Sequence, residues 1–491
     1  MSEYGKRLLQ GSTFIIASVF FVKIVGIFRS AIIARTLGPW DLGVLTIFTS
    51  ITDIALQFAI LSIPFALAKY VSEYQFKNRE KASKIIYNSL WMMMILGFFL
   101  SVILFVSSGF ISNFYQEPRL SFYLKLYAVF MLLPVFQHGL YSILQGFHKM
   151  KQISIYNMTT SIFGLVVIFI LATKYGLLGV IISSLVIIVF IIILSLFGLR
   201  KVFVEENISI EHKFDMSIIK TLLIFSVPLF ISAMIFRPAN LFVNTIIFDS
   251  LGPDELGYYR IAFTIFMIMM MIPSSIQVPL LPLFSEANSR SKKDLKTFTT
   301  AVFKFNALIM LVISSMVILF SGPFVKIVYG QQYLQSINIL AIFGCASFFN
   351  AMGTIFYTSI IGRGKTVLIA IMSALQALIL VILSFLIIPK YGLIGASIIY
   401  IFTGIASLSI YLIYYSASKN ISLTDVGVRG SLTSFIIIGL TIPIILVDFT
   451  YPFWMGALFA LGIFAVIYFM LEKQEKTIIN NMITGFMLLF K

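Results

Sequence analysis

Several charged side chains lie inside long apolar runs of this sequence, where a charge is costly. Lys23 and Arg237 lie near the middle of two such runs, and Asp53 lies deep in a third. A charge at the centre of a membrane-spanning helix costs roughly 2.5–3.5 kcal/mol on insertion scales, so each residue needs a partner or a function. Two cations in such a setting are suited to binding an anion, because guanidinium and ammonium groups form charge-assisted hydrogen bonds with phosphate or carboxylate.

Smaller polar residues accompany the two cations at helical spacing. At about 100° per residue, Asn244 falls almost beneath Arg237, and Ser30 falls almost beneath Lys23. Asn240 lies three residues after Arg237 and is close to the same face. We therefore predict that one face of each of these two helices is a polar lining.

Two further arginines extend this set. Arg29 lies about 120° around the helix from Lys23, so it is either a cavity residue or an interfacial anchor. Arg260 begins the next apolar run, where it either attracts anions or extends to the lipid headgroups. The predicted substrate-binding residues are Lys23, Arg29, Arg237, Arg260, Asn240 and Asn244.

Asp53 is the one acidic residue that the sequence puts deep inside an apolar run. We favour an ion pair with Lys23 that offsets a buried charge, and the alternative is a coupling site whose protonation frees Lys23.

Residues for enzymatic chemistry are scarce. The chain has three histidines and one cysteine, and it lacks the HExxH, Walker and GxSxG patterns. We predict a membrane transporter and not an enzyme, with no catalytic residues, no metal site and no cofactor.

The apolar runs themselves define the elements that carry these residues. The chain has 491 residues, of which 60% are hydrophobic and 11% charged, and its mean hydropathy is +1.03. Runs of about 18–25 residues without strand-like alternation predict an all-α polytopic membrane protein with about 14 transmembrane helices. The predicted spans are 11–35, 42–67, 85–110, 120–144, 153–173, 177–199, 218–248, 256–283, 298–320, 334–361, 367–388, 393–415, 430–447 and 453–471.

Lysine and arginine collect in alternate loops between these spans. This pattern predicts that both termini lie in the cytoplasm of a multi-pass protein of the cell membrane. The net charge of +16 is then a topology signal that faces anionic membrane lipids, and it does not indicate nucleic acid.

An internal repeat divides the chain. LGPWDLG at 37–43 recurs as LGPDELG at 251–257, and KYGLLG at 174–179 recurs as KYGLIG at 390–395. Six spans per copy place both copies in the same orientation, with a pseudo-two-fold axis along the membrane normal. We predict an N-terminal lobe of 1–213, a C-terminal lobe of 214–418, and two added helices with a short tail in 419–491. Transporters built this way bind substrate between the lobes.

Two segments carry a resemblance to a known family. VKIVGIFRSAIIARTLG at 22–38 and IPFALAKYVSEY at 63–74 resemble the opening of the polysaccharide and lipid-linked oligosaccharide flippases of the multidrug/oligosaccharidyl-lipid/polysaccharide (MOP) exporter superfamily. The first helix of lipid II flippases is similar, with an aspartate where this chain has Ser30, and that departure argues against lipid II as the substrate.

The resemblance implies a function. It implies export of a polyprenyl-(pyro)phosphate-linked glycan by alternating access, with the anionic headgroup held by cationic residues between the lobes. We expect a monomer, with glycan-synthesis enzymes as further partners. The alternatives are a cation-coupled multidrug exporter of the same superfamily, which relies on membrane-embedded acids, and a lipid II flippase.

Overall fold

A computed structural model describes residues 3–206 and 213–417 of the chain. These residues form twelve α-helices and one short 3₁₀-helix, and no strand occurs among them. In chain order the helices are α1 (Glu3–Ile60), α2 (Ile63–Lys77), α3 (Arg79–Phe114), α4 (Pro118–Phe130), α5 (Leu132–Gly146), α6 (Met150–Glu205), α7 (Met216–Ala233), α8 (Phe236–Leu251), α9 (Pro253–Arg290), α10 (Lys292–Val328), α11 (Ser336–Gly362) and α12 (Thr366–Ala417).

The helices are long and apolar enough to cross a membrane many times. Within the described ranges eight spans qualify by length and composition, with α7 and α8 counted together, and α4 and α5, bent by 44°, form a ninth. Three helices, α1, α6 and α12, have 58, 56 and 52 residues, more than twice the ~20 residues that one crossing needs. Each of these three helices is broken at a glycine and therefore provides two crossings. The three additional crossings bring the nine spans to twelve.

These twelve segments follow the order of the first twelve predicted spans, which confirms the all-α polytopic fold. The two further predicted helices, in 419–491, lie outside the described residues.

The repeated LGP motif forms a turn in both copies. Gly38 has φ 75° and ψ 173°, and it interrupts α1. Gly252 has φ 102° and ψ 166°, and it separates α8 from α9. Positive φ strains any residue with a Cβ, and the proline that follows is pre-set for the first turn of the next helix. The motif therefore ends one span and begins the next.

The two copies of this motif also pack against each other. A Cβ added at Gly43 would lie 2.0 Å from the carbonyl oxygen of Pro253, and one added at Gly257 would lie 2.1 Å from the carbonyl oxygen of Pro39. The contact is reciprocal, since each copy presents its last glycine to the proline of the other. The absence of a side chain at both glycines allows α1 and α9 to approach at backbone distance.

The chain divides into two compact units. The first comprises Met1–Ile261 with Leu380–Gly392, and the second comprises Ala262–Ile379 and the chain from Leu393 onward. The core of the first unit packs α2, α3, α5, α6 and α7 around buried side chains such as Leu67, Ile86 and Leu144.

The core of the second unit packs the rest of α9 against α10, α11 and α12. Asn306 Nδ2 donates to the Ala351 carbonyl at 2.9 Å in this core. The predicted lobes, 1–213 and 214–418, rest on the sequence repeat and stay a prediction.

Candidate functional site

All the predicted site residues lie in the first compact unit, on α1, α8 and α9. Lys23 and Arg29 are on the first half of α1, where the Lys23 side chain is exposed and Arg29 is half-buried. Ser30 Oγ donates to the carbonyl of Ile27 at 2.8 Å, and nothing lies within 4 Å of a Cβ added at Gly26. This stretch of α1 is therefore open, and its serine is satisfied within the helix.

Arg237 lies just after the break between α7 and α8. The chain leaves the helical hydrogen-bond pattern at Met234 and Ile235, and α8 begins at Phe236. A proline follows at position 238, where its missing N–H costs little because the first helical turn leaves N–H groups unpaired. The break leaves the Arg237 side chain exposed.

The two asparagines on α8 have different surroundings. Asn240 Nδ2 donates to the Phe236 carbonyl at 3.0 Å, within its own helix. Asn244 Nδ2 donates to Ser50 Oγ at 2.9 Å, which joins α8 to the second half of α1. At the next residue, Thr245 Oγ1 and the hydroxyl of Tyr115, in the turn before α4, are 2.7 Å apart. Asn244 thus joins two helices.

Asp53 lies on the second half of α1, one helical turn beyond Ser50. The positive charges that act on its carboxylate are those of Arg237 and Arg260. Asp53 and Arg237 are exposed, whereas Arg260 is half-buried. A charge at this depth of a membrane helix is costly unless opposite charges or water offset it, and Asp53 has two cations in its neighbourhood.

Tyr127 and His138 add polar groups to this neighbourhood. The charge of Asp53 acts on the Tyr127 hydroxyl, and the charge of Arg237 acts on the His138 ring. The Tyr127 side chain is buried. Sequence reasoning missed Tyr127, because one tyrosine in an apolar run has the pattern of a core residue. It missed Ser50 as well, although the spacing of three residues from Asp53 puts both on one helix face.

The expected pairing of Asp53 with Lys23 is not among the contacts of the described side chains. The cations near Asp53 come instead from α8 and α9, because Asn244 holds α8 against α1 and the reciprocal glycine contacts hold α9 there. Arg260 follows Gly257 by three residues, so it lies one turn from that contact. The cluster thus consists of Asp53, Arg237 and Arg260.

An ion-pair cluster joins α4 to the turn of α1, outside the predicted spans. Arg119 contacts Glu117 through Nε at 2.8 Å and Asp41 through Nη1 at 3.0 Å. Burial acts to raise the pKa of Glu117, but the hydrogen bond and charge of Arg119 outweigh it, so the pKa of Glu117 is lowered. The same contacts raise the pKa of Arg119. This cluster fixes the start of α4 against the LGP turn.

Metal-ligating side chains are not grouped in the described part of the chain, where no three His, Cys, Asp or Glu residues could hold one ion. Cys345 is a buried free thiol. Lys125 on α4 has its Nζ 5.8 Å from the centre of the Phe105 ring.

A membrane domain of many apolar helices that carries charged side chains within its spans is typical of a membrane transporter. The chain belongs to the polysaccharide biosynthesis protein family, whose model matches residues 32–338.

Relatives by sequence agree with this assignment. The chain is 26% identical over 381 residues to a putative O-antigen transporter of Shigella flexneri, covering 74% of this chain and 87% of the relative. It is also 25% identical over 211 residues to a capsular polysaccharide biosynthesis protein of Staphylococcus aureus, covering 43% of this chain and 53% of the relative.

Solved structures show the same fold. The lipid II flippase MurJ in an inward closed conformation matches with a TM-score of 0.70 and 19% identity, covering 92% of this chain and 98% of that one. An inward-facing multidrug resistance transporter of the MOP superfamily matches with a TM-score of 0.67 and 16% identity, covering 81% and 95%. The predicted family, fold and class of function are confirmed: the chain is a membrane transporter of the polysaccharide-precursor type and not an enzyme.

Proposed function

We propose that this protein moves a polyprenyl-(pyro)phosphate-linked oligosaccharide or polysaccharide precursor across the cytoplasmic membrane by alternating access. Membership of the polysaccharide biosynthesis family supports the substrate class. The observation that carries the site is the excess of cations around Asp53, since Arg237 and Arg260 both act on one carboxylate. The net positive charge left over suits the phosphates of such a lipid.

Each predicted residue has a role in this proposal. Arg237 and Arg260 hold the phosphate, with Lys23 and Arg29 as the cations of the first span. Asn240 donates to the phosphate or the first sugar, and Asn244 keeps α8 in register with α1. Asp53 holds the arginines in place while no substrate is bound. The two predicted lobes alternate around this site, and the predicted arrangement has both termini in the cytoplasm.

The proposed partners follow from the substrate. The protein works as a monomer, receives the lipid-linked glycan from the enzymes that build it and releases it to those that use it. A cation-coupled multidrug exporter is the second candidate, and the observation that favours it is the accessible carboxylate of Asp53. A lipid II flippase is the third.

The test measures glycan export in cells that depend on this protein. Arg237→Gln and Lys23→Gln each abolish export while the amount of protein in the membrane stays normal, and Arg237→Lys keeps part of the activity because its charge survives without the bidentate fork. Lys125→Gln is the matched control and exports normally. Normal export by both glutamine variants overturns the cationic site. Cation-dependent drug efflux that is lost in Asp53→Asn, without glycan export, identifies the multidrug exporter instead.

A further inference from the structure

A surface groove in the first compact unit lies apart from the charged cluster around Asp53. It lies between α3, α5 and α6 and has a volume of about 430 Å³. Its walls are apolar side chains, among them Leu90, Phe136, Leu140 and Leu196, and its one charged lining residue is Arg200. None of the predicted transport residues lines it, so the groove needs an explanation of its own.

The groove runs inward from one membrane surface. Helix α3 begins and helix α6 ends at that surface, where Lys149 at the start of α6 contacts Glu205 at its end at 3.2 Å. Leu196 lies one turn deeper than Arg200 on α6, and its side chain is 46% exposed although it is apolar. The groove therefore has a cation, Arg200, near the depth of the lipid headgroups and apolar walls below it.

The charge of Arg200 has no acidic partner in the described chain. The carboxylates at this surface face other cations: Glu205 contacts Lys149 and Lys201, and Glu206 contacts Arg79 at 4.0 Å. The Arg200 side chain is exposed. An exposed guanidinium at a membrane surface attracts anionic headgroups through its charge, and its planar fork can bind a phosphate through two hydrogen bonds.

We propose that this groove binds one anionic phospholipid, with the phosphate on Arg200 and one acyl chain along Leu196, Leu140 and Phe136. The charge of the groove selects a lipid with a net negative headgroup, because the ammonium of a zwitterionic lipid offsets the attraction. The apolar walls accept the chain because van der Waals packing against them replaces packing against neighbouring lipid tails. The surrounding leaflet supplies the lipid directly.

The experiment counts bound lipids by native mass spectrometry on delipidated full-length protein, titrated with phosphatidylglycerol or phosphatidylcholine in mixed micelles. The first phosphatidylglycerol binds at least about tenfold more tightly than phosphatidylcholine. Arg200→Gln removes that preference, because the neutral amide no longer distinguishes a net negative headgroup from a zwitterionic one. Lys201→Gln is the matched control, since that lysine is equally near the surface but contacts Glu205. It keeps the preference.

A second pair of variants tests the apolar walls. Leu196→Trp fills the groove and abolishes tight binding, whereas Phe197→Trp, at a neighbouring side chain that is 70% exposed and does not line the groove, leaves it unchanged. This pair decides the question if Arg200→Gln fails to fold. The proposal is overturned if Arg200→Gln and Lys201→Gln lose the preference for phosphatidylglycerol equally. It is also overturned if Leu196→Trp binds phosphatidylglycerol as tightly as the natural chain does. Displacement of phosphatidylglycerol by tenfold less undecaprenyl phosphate overturns the assigned occupant.

Discussion

Asp53 is a carboxylate between two arginines of other helices, and that environment makes its neutralisation harmful. Removing it leaves the charges of Arg237 and Arg260 without their counter-ion. Removing one arginine together with the carboxylate restores part of the charge balance. Charges that belong to one network show interaction free energies of about 0.5–3 kcal/mol.

Double substitutions therefore distinguish the partners of Asp53. We expect Asp53→Asn combined with Arg237→Gln to unfold at a higher temperature than the sum of the single effects predicts. Asp53→Asn combined with Lys23→Gln is expected to be additive, because Lys23 is not among the charges that act on Asp53. The measurement is the melting temperature of purified protein in detergent. If the melting temperatures show coupling between Asp53 and Lys23 but additive effects for Asp53 and Arg237, then Lys23 and not Arg237 is the partner of Asp53.

Glu117 gives a pH dependence at the outer edge of the predicted spans. Its pKa is lowered in the folded protein by Arg119, against the opposing effect of burial, so its carboxylate stabilises the fold above its ordinary pKa of 4.5. That contribution is lost as the pH falls through the folded-state pKa. We expect Glu117→Gln to lower the melting temperature at pH 7 and to lose less on acidification below about pH 4.5 than the natural chain does. Parallel acid profiles would contradict this.

At the scale of elements, the sequence reveals that LGPWDLG and LGPDELG are related, but it does not reveal that they touch. The repeat puts one copy of the motif between the first and second spans of each series, and in both copies the glycine, Gly38 or Gly252, has a positive φ. The reciprocal approach of Gly43 to Pro253 depends on where helices 214 residues apart in sequence meet, and no local pattern encodes that.

This contact makes a sharp prediction about two glycines. Gly43→Ala puts a methyl group 2.0 Å from the Pro253 carbonyl oxygen, and Gly257→Ala puts one 2.1 Å from that of Pro39. Backbone must move to accept either, so we expect lower melting temperatures and lower yields of folded protein. Gly109→Ala is the control, since nothing lies within 4 Å of its added Cβ. It should be neutral or stabilising by about 0.5–1 kcal/mol, because alanine favours a helix. A neutral Gly43→Ala would show that the helices are farther apart.

At the scale of the whole molecule, the count of crossings follows from hydropathy because lipid demands ~20 apolar residues per helix. Charge asymmetry predicts the orientation, because Lys and Arg are retained on the cytoplasmic side. Hydropathy does not predict whether two consecutive spans are separated by a loop or joined directly. It predicts separate helices at 153–173 and 177–199, whereas α6 runs through both with a single glycine break.

Cysteine labelling tests the orientation. In a Cys345→Ser background, Lys77→Cys should react with a membrane-impermeant maleimide only after permeabilisation, and Asn113→Cys should react in intact cells. Both positions are exposed: Lys77 ends α2 just before α3 begins, and Asn113 lies near the other end of α3. Cys345→Ser alone controls for background labelling. The reverse pattern would place the termini outside.

The break at Gly176 has a consequence for how the protein is made. The two spans of α6 are joined at one residue with φ 55° and ψ −132°, and Gly179 lies so close to the Leu171 carbonyl that a Cβ would be 1.9 Å away. No linker residues separate the two spans, so we expect that the first span does not insert into the bilayer independently of the second. We expect the ribosome-bound translocon to release them as one hairpin, and the glycine at the tip to decide whether that step of biosynthesis succeeds.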